Sequence, residues 1–133
     1  NKINFTNDSG FCIISRDELC VSFFEEESFE GLSFNLTYGR YNLPDTISFI
    51  IQSIKVNIPF CTVRLFMEYN FKEELVKLVH YVEGNIEYSN MSNYLNNENV
   101  RIKSIIIEKI PMDNLISNSV NFKNYDFQII NFH

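Results

Sequence analysis

The apolar residues of this chain come in short segments that polar residues interrupt. The longest of them, around residues 47–58, contains Ser48, Gln52 and Lys55. A membrane-spanning helix needs about 20 apolar residues in succession, so we expect no membrane segment. With 133 residues, 45% of them hydrophobic, the chain has the size of one domain with one core. We therefore predict a single domain over residues 1–133, with residues 1–10 loose because they are mostly turn formers.

Several segments have the patterns of β-strands. Residues 32–37 alternate apolar and polar side chains, and residues 61–69 do so as well. Residues 100–110 are β-branched and continuous through Ile105, Ile106 and Ile107, which is typical of a strand covered on both faces. Further strands are predicted over residues 11–15, 19–24 and 125–132, of which the first two form a hairpin.

Two segments have helical spacing. Pro44 and Asp45 suit a first helical turn, and isoleucines follow at intervals of three and four, which predicts a helix over 44–56. Asn70 with Glu73 resembles a capping box, and the stripe that follows predicts a helix ending at Gly84. Residues 86–99 are polar and predict a turn or a short helix.

No internal repeat is apparent. The prediction is an α+β fold: a mostly antiparallel sheet of about six strands with two helices packed on one face.

Few side chains in this sequence suggest catalysis. On the predicted second helix His80 faces away from the apolar stripe and is interpreted as a surface residue, and His133 is the last residue. A pair of Cys12 or Cys61 with a histidine is conceivable, as is catalysis by neighbouring glutamates, but no spacing favours either. No zinc, calcium or phosphate-binding motif is present. We predict no catalytic residues, no metal and no cofactor.

The three cysteines lie among apolar residues and are interpreted as buried, reduced thiols, which predicts a cytoplasmic location. Four Asn-x-Ser/Thr triplets favour secretion instead, but asparagine is so abundant that chance explains them. Nucleic-acid binding is disfavoured, because the clearest basic group is only Arg101, Lys103 and Lys109.

The formal net charge of −6 is concentrated near the start of the chain. Residues 1–50 hold eight acidic and three basic residues, whereas residues 51–133 hold nine and eight. Acidic rims steer basic partners, and aromatic side chains beside them supply binding energy. The alternative is that the acids only maintain solubility. The predicted partner-binding residues are Asp17, Glu18, Glu25, Glu26, Glu27, Phe29, Glu30, Tyr38 and Tyr41.

The acidic block at residues 25–30, the small single domain and the missing active site together resemble bacterial immunity proteins of contact-dependent growth-inhibition systems. The resemblance implies a cytoplasmic inhibitor that binds a toxin domain, a nuclease, through its acidic face. One alternative is a structural or accessory subunit, phage or viral or self-assembling, that pairs through an exposed edge such as residues 125–132. Another is a small enzyme that uses His133, Cys61 or the glutamates.

Overall fold

The computed structural model describes residues 20–47, 49–81, 84–95, 100–111 and 127–131, the last of these as backbone only. Within these residues the chain is built from β-strands and two one-turn 3₁₀ helices, Glu27–Phe29 and Met91–Asn93. The strands are β1 (Val21–Glu26), β2 (Glu30–Leu36), β3 (Gly39–Asn42), β4 (Ser53–Val56), β5 (Cys61–Glu68), β6 (Lys72–His80), β7 (Ile86–Tyr88), β8 (Ser104–Lys109) and β9 (Phe127–Asn131).

The strands form two antiparallel sheets. One sheet has four strands in the order β2-β1-β4-β7, and the other has five in the order β3-β8-β5-β6-β9. The chain has two similar halves, β1–β4 and β5–β8. Each half places its first, second and fourth strands in one sheet and its third strand in the other. The two halves are therefore interlocked, and β9 extends the five-stranded sheet by pairing with β6.

The core lies between the two sheets, and strand alternation explains its composition. Val21 and Phe23 of β1 point inward, as do Ile54 and Val56 of β4, and all four are at most 1% exposed. The strands of the other sheet contribute a matching set of inward residues: Cys61, Val63, Leu65, Val76, Leu78, Ile105 and Ile107. Side chains at every second position thus fill the space between the sheets.

The predicted α+β class is wrong, because both predicted helices are replaced by other structure. Residues 44–47 and 49–52 form a turn, a bend and irregular backbone, and β4 follows at Ser53–Val56. The second predicted helix is strand β6. Leu75 and Leu78 are both buried because β6 has a bulge: Val76 pairs with Leu65, but Glu74 pairs with Phe66, so Leu75 is the extra residue. The bulge interrupts the two-residue period and creates helix-like spacing.

Five of the six predicted strands overlap strands of the structure. Residues 19–24, 32–37, 61–69, 100–110 and 125–132 overlap β1, β2, β5, β8 and β9, respectively. The predicted short element between 86 and 99 corresponds to β7 and the second 3₁₀ helix. The strand predicted at residues 11–15, and with it the first predicted hairpin, lies outside the described residues.

Candidate functional site

The acidic block lies in and beside the turn that joins β1 to β2. We call residues 24–32 the acidic hairpin. Glu26, Glu27 and Glu30 are exposed. Glu25 is half-buried, and its Oε1 accepts a hydrogen bond from the Leu32 amide at 3.2 Å. Asp17 and Glu18, which the sequence places in the same surface, lie outside the described residues.

Three closely spaced residues of the acidic hairpin have left-handed backbone angles. Ser28 and Phe29 have φ values of 57° and 64°, and Gly31 has a φ of 81°. A Cβ atom at Gly31 would lie 2.9 Å from Glu25 Oε1 and 3.0 Å from Glu26 Cγ. Glycine at position 31 therefore avoids both the strain of a left-handed backbone angle and a displacement of the Glu25 side chain.

Three hydrogen bonds hold the acidic hairpin against the rest of its sheet. The amide of Phe29 donates to Ser53 Oγ at 2.9 Å, and the Ser53 hydroxyl donates to the carbonyl of Glu26 at 2.6 Å. The amide of Ser28 donates to the carbonyl of Ser89 at 2.9 Å. The glutamates are therefore carried on a fixed turn.

Two aromatic rings lie beside the glutamates. Phe24 and Phe29 meet edge to face, with ring centroids 5.6 Å apart. The Lys55 ammonium lies over both rings, 4.6 Å from the Phe29 centroid and 5.8 Å from that of Phe24. Leu32, with 41% exposure, adds an apolar side chain at the surface. The acidic hairpin thus combines carboxylates with an aromatic pair that accepts a cation.

The two predicted tyrosines are not part of the acidic hairpin. Tyr41 is 5% exposed, and its hydroxyl lies 2.9 Å and 3.0 Å from the carbonyls of Thr37 and Tyr38. Burial raises the pKa of Tyr41 to about 12. Tyr38 is exposed, but it follows the end of β2 opposite the hairpin, at a distance of roughly 20 Å along the strand. Of the predicted binding residues that the structure describes, it brings together Phe29 and the four glutamates but not the two tyrosines.

A second hairpin, between β5 and β6, repeats the geometry of the first. Phe66 and Phe71 meet edge to face at 5.8 Å, and each lies 42 positions after its counterpart, Phe24 or Phe29. The Phe71 amide donates to Ser104 Oγ at 3.1 Å, and the Ser104 hydroxyl donates to the carbonyl of Glu68. The prediction of no internal repeat is therefore wrong. Its sequence signal is Phe-x-x-x-x-Phe-x-Gly at 24–31 and Phe-x-x-x-x-Phe-x-Glu at 66–73.

Arginine side chains cover the second aromatic pair. Arg64 Cζ lies 5.3 Å from the Phe66 centroid, and Arg40 Cζ lies 5.6 Å from that of Phe71. Arg64 donates two hydrogen bonds of 2.9 Å to the Glu74 carboxylate, which raises the pKa of Arg64. Glu108 lies 3.7 Å from Arg64 and 3.8 Å from Arg40. Both arginines that cover the second aromatic pair are thus paired with carboxylates of the same chain.

His80 is buried, which corrects its prediction as a surface residue. In strand β6 it lies on the inward face with Val76 and Leu78, and it is 2% exposed. Its Nδ1 lies 3.0 Å from the carbonyl of Ile58, and the Cys61 thiol donates to the same carbonyl at 3.2 Å. Burial raises the pKa of Cys61 to about 12. This thiol is therefore protonated at neutral pH, so the neighbouring cysteine and histidine lack a thiolate nucleophile.

The cysteines differ in oxidation state. Cys61 is free and buried, as predicted, but Cys20 is disulfide-bonded, which corrects the prediction that all three are reduced. His133 and Cys12 lie outside the described residues. Among the residues that are described, no three histidine, cysteine or acidic side chains converge on a possible metal position.

The predicted basic group does not form one patch. Arg101 donates to the carbonyl of Ile47 at 3.2 Å, and Lys103 Nζ lies 3.5 Å from Glu68 Oε1. Lys109 is exposed at the end of β8. In the described part of the chain, no helix has the length and apolar character needed to cross a bilayer.

The sequence matches no protein-family model and no curated protein. Solved structures do resemble it. One, described as "Evolution of the eye lens beta-gamma-crystallin domain fold", superposes with a TM-score of 0.54 at 18% identity over 79% of this chain and 96% of that chain. The N-terminal domain of protein S has a TM-score of 0.48 at 22% identity, covering 69% and 98% of the two chains. Spherulin 3a from Physarum polycephalum has a TM-score of 0.48 at 21% identity, covering 69% and 84%.

The first of these similarities covers 79% of this chain and agrees with the two-sheet structure rather than with the predicted α+β class. At 18% identity the similarity concerns the fold and not the activity. The chain is therefore similar in fold to the beta-gamma-crystallin domain.

Proposed function

We propose that this chain is a non-catalytic protein-binding domain that docks a basic partner with its acidic hairpin. The observation that carries the proposal is that four glutamates share one fixed turn, and that no described residue forms an ion pair with Glu25, Glu26, Glu27 or Glu30. Uncompensated carboxylates on a rigid support attract a positively charged surface and accelerate its association.

The aromatic pair and Leu32 complete the surface. Charged residues at the rim of an interface mainly raise the rate of association, whereas aromatic side chains near its centre supply most of the affinity. Phe24 and Phe29 are half-buried and lie within the acidic hairpin. The hairpin therefore contains both kinds of group that a docking surface requires.

The buried state of the nucleophile and base supports a non-catalytic role. Cys61 is 0% exposed and His80 is 2% exposed, and both bond to the carbonyl of Ile58. A side chain that must meet a substrate needs access to it. These two residues instead tie the start of β5 and the end of β6 to the preceding loop.

The partner class follows from the sequence resemblance. In this proposal the partner is a toxin domain, a nuclease, whose phosphate-binding cleft is basic and accepts the glutamates in place of phosphate. The alternative of a structural subunit relied on an exposed strand near residues 125–132. That strand, β9, pairs with β6 and is an end strand of the five-stranded sheet as described, so this alternative keeps a strand edge to pair through.

A cytoplasmic location belongs to the same proposal, and the Cys20 disulfide counts against it because the cytoplasm keeps most thiols reduced. Fractionation of the source cells, followed by non-reducing peptide mapping of Cys20, decides between the two compartments. Docking by the acidic hairpin requires only that hairpin and partner share a compartment.

The test is capture of the partner. The immobilised chain is exposed to an extract of the source organism at low salt, and the retained proteins are eluted with salt and identified by mass spectrometry. We expect a basic protein that elutes at moderate ionic strength, because screening weakens contacts between exposed charges. Retention of no basic protein would contradict the proposal.

A further inference from the structure

The aromatic pairs of the two hairpins hold different cations. On the second hairpin, guanidinium groups lie over both rings: Arg64 over Phe66 and Arg40 over Phe71. On the acidic hairpin, one ammonium group, that of Lys55, lies over both Phe24 and Phe29. The repeated geometry shows that a phenylalanine pair in this setting accepts arginine.

The cations also differ in how firmly they are held. Arg64 makes two hydrogen bonds of 2.9 Å with Glu74 and lies near Glu108. Lys55 pairs in register with Glu87 on the neighbouring strand, yet no described carboxylate lies within ion-pair distance of its ammonium group. The two aromatic rings are the only contacts described for its ammonium group, and such contacts are weak where the cation is still partly exposed to water. Lys55 is therefore readily displaced.

We propose that the Phe24–Phe29 pair is a binding site for an arginine side chain of a basic peptide segment, and that Lys55 occupies this site in the free chain. The inference rests on the proposed function, because it names the chemistry that the acidic hairpin recognises. It adds that recognition is selective for arginine over lysine and that the chain inhibits its own binding through Lys55.

The chemistry of the two cations explains the selectivity. A guanidinium group is planar, weakly hydrated and stacks on an aromatic face, whereas an ammonium group is compact and strongly hydrated. Arginine therefore loses less hydration when it displaces Lys55. The exposed carboxylates of Glu26, Glu27 and Glu30 can pair with the remaining donors of the guanidinium group, which is the pairing that Glu74 provides for Arg64.

The experiment compares two synthetic peptides of equal length, oligo-arginine and oligo-lysine, by isothermal titration calorimetry. We expect Lys55→Gln to increase the affinity for oligo-arginine by about three- to fivefold, and to increase the affinity for oligo-lysine less. Lys77→Gln is the matched control: it removes the same charge from the outer face of the other sheet, where Lys77 pairs with Arg64. Its effect measures the change in net charge alone.

A second variant identifies the aromatic ring as the cause. Phe29→Leu in the Lys55→Gln background should remove the gain for oligo-arginine while the folded state, monitored by circular dichroism, is kept. The gain should also persist at about 1 M salt, where exposed charge pairs are screened. The inference is overturned if Lys55→Gln behaves as Lys77→Gln does, or if both peptides gain equally.

The arginine site and the docking role of the acidic hairpin can be contradicted separately. If the unchanged protein binds both peptides in a salt-dependent manner but Lys55→Gln adds no preference for arginine, the arginine site is wrong and docking by the glutamates stands. If neither the unchanged protein nor Lys55→Gln binds either peptide, the arginine site and the docking role of the acidic hairpin are both contradicted.

Discussion

Ser53 and Ser104 occupy equivalent positions in the two halves of the chain, and each holds one folded hairpin. Each hydroxyl accepts a hydrogen bond from the amide of a phenylalanine and donates to the carbonyl of a glutamate three residues earlier in the hairpin. Both serines are 0% exposed. The position of the acidic hairpin thus depends on a buried serine 24 residues beyond Phe29.

The serine contacts predict the cost of removing each hydroxyl. Ser53→Ala and Ser104→Ala each leave a partly buried amide without its acceptor and a carbonyl without its donor, and we expect each to lower the free energy of unfolding by about 1–2 kcal/mol. Ser22→Ala on the outer face of β1 is the control and should have little effect. Urea denaturation measures all three. Equal stability of Ser53→Ala and Ser22→Ala would contradict the assigned contacts.

The equivalent positions Gly31 and Glu73 predict opposite tolerance of a side chain. Gly31→Ala must place a Cβ near Glu25 at a φ of 81°, and we expect a loss of about 1–3 kcal/mol from the left-handed backbone and the crowding. Glu73 already has a φ of 58° and carries a Cβ. Glu73→Ala should therefore change stability by less than about 0.5 kcal/mol. Comparable losses in the two variants, measured by thermal denaturation, would argue against this difference.

Burial of Cys61 predicts a loss of stability in alkali. The pKa of the thiol is raised from 9.0 to about 12 in the folded chain. As pH rises above 9, the unfolded chain therefore loses the thiol proton before the folded chain does, which favours unfolding. The contribution of the protonated Cys61 thiol to the free energy of unfolding is fully present below pH 9. It declines by about 1.4 kcal/mol per pH unit from there towards pH 12.

Cys61→Val should flatten this alkaline decline, because valine keeps an apolar side chain and has no titrating group. Urea titrations after short incubations, which limit thiol–disulfide exchange with Cys20, compare the two proteins at several pH values. The decline that remains in the variant includes the contribution of Tyr41, whose pKa is also raised to about 12. Parallel declines of both proteins would show that Cys61 does not titrate as described.

The paired charges of the second hairpin differ in geometry and should differ in energy. Glu74→Gln breaks a two-hydrogen-bond contact with Arg64 in which the carboxylate side chain is 16% exposed, and we expect a loss of about 1–2 kcal/mol. Glu68→Gln breaks a 3.5 Å contact with Lys103 at a side chain that is 53% exposed, and should cost less than about 0.5 kcal/mol. Denaturant midpoints of the two variants test the order. A larger loss for Glu68→Gln would reverse it.

Local patterns predict many of the strands but neither the class nor the topology. Alternation identified β2 and β5, and the β-branched run identified β8, because these signals arise within one strand. The helix predicted after Asn70 was wrong because of the bulge at Leu75. The bulge buries both Leu75 and Leu78, which an uninterrupted two-residue period would place on opposite faces of the strand. The helix predicted after Pro44 was wrong because isoleucines in a loop and a strand happened to fit helical spacing. Whether such a segment forms a helix or a strand depends on its pairing with strands that are distant in the sequence.

The candidate site was predicted in part. The glutamates and Phe29 are adjacent in the sequence, so their common location followed from composition and charge. The contributions of Ser53 and Lys55 depend on the pairing of β1 with β4, which no local pattern specifies. Tyr41 was assigned to the binding surface because it lies near the acidic block in the sequence, but β3 places it in the core.

The two equivalent hairpins allow a direct test of docking by the acidic hairpin. Glu26→Lys with Glu27→Lys reverses two exposed charges there, and Glu68→Lys with Glu73→Lys makes the same charge change on the second hairpin. Glu25 is left intact because it accepts from the Leu32 amide. The measurement is retention of the basic partner from source extract at low salt by the unchanged chain and by both variants. The account predicts retention by the unchanged chain and by the second variant, with loss in the first. Equal retention by all three would contradict it.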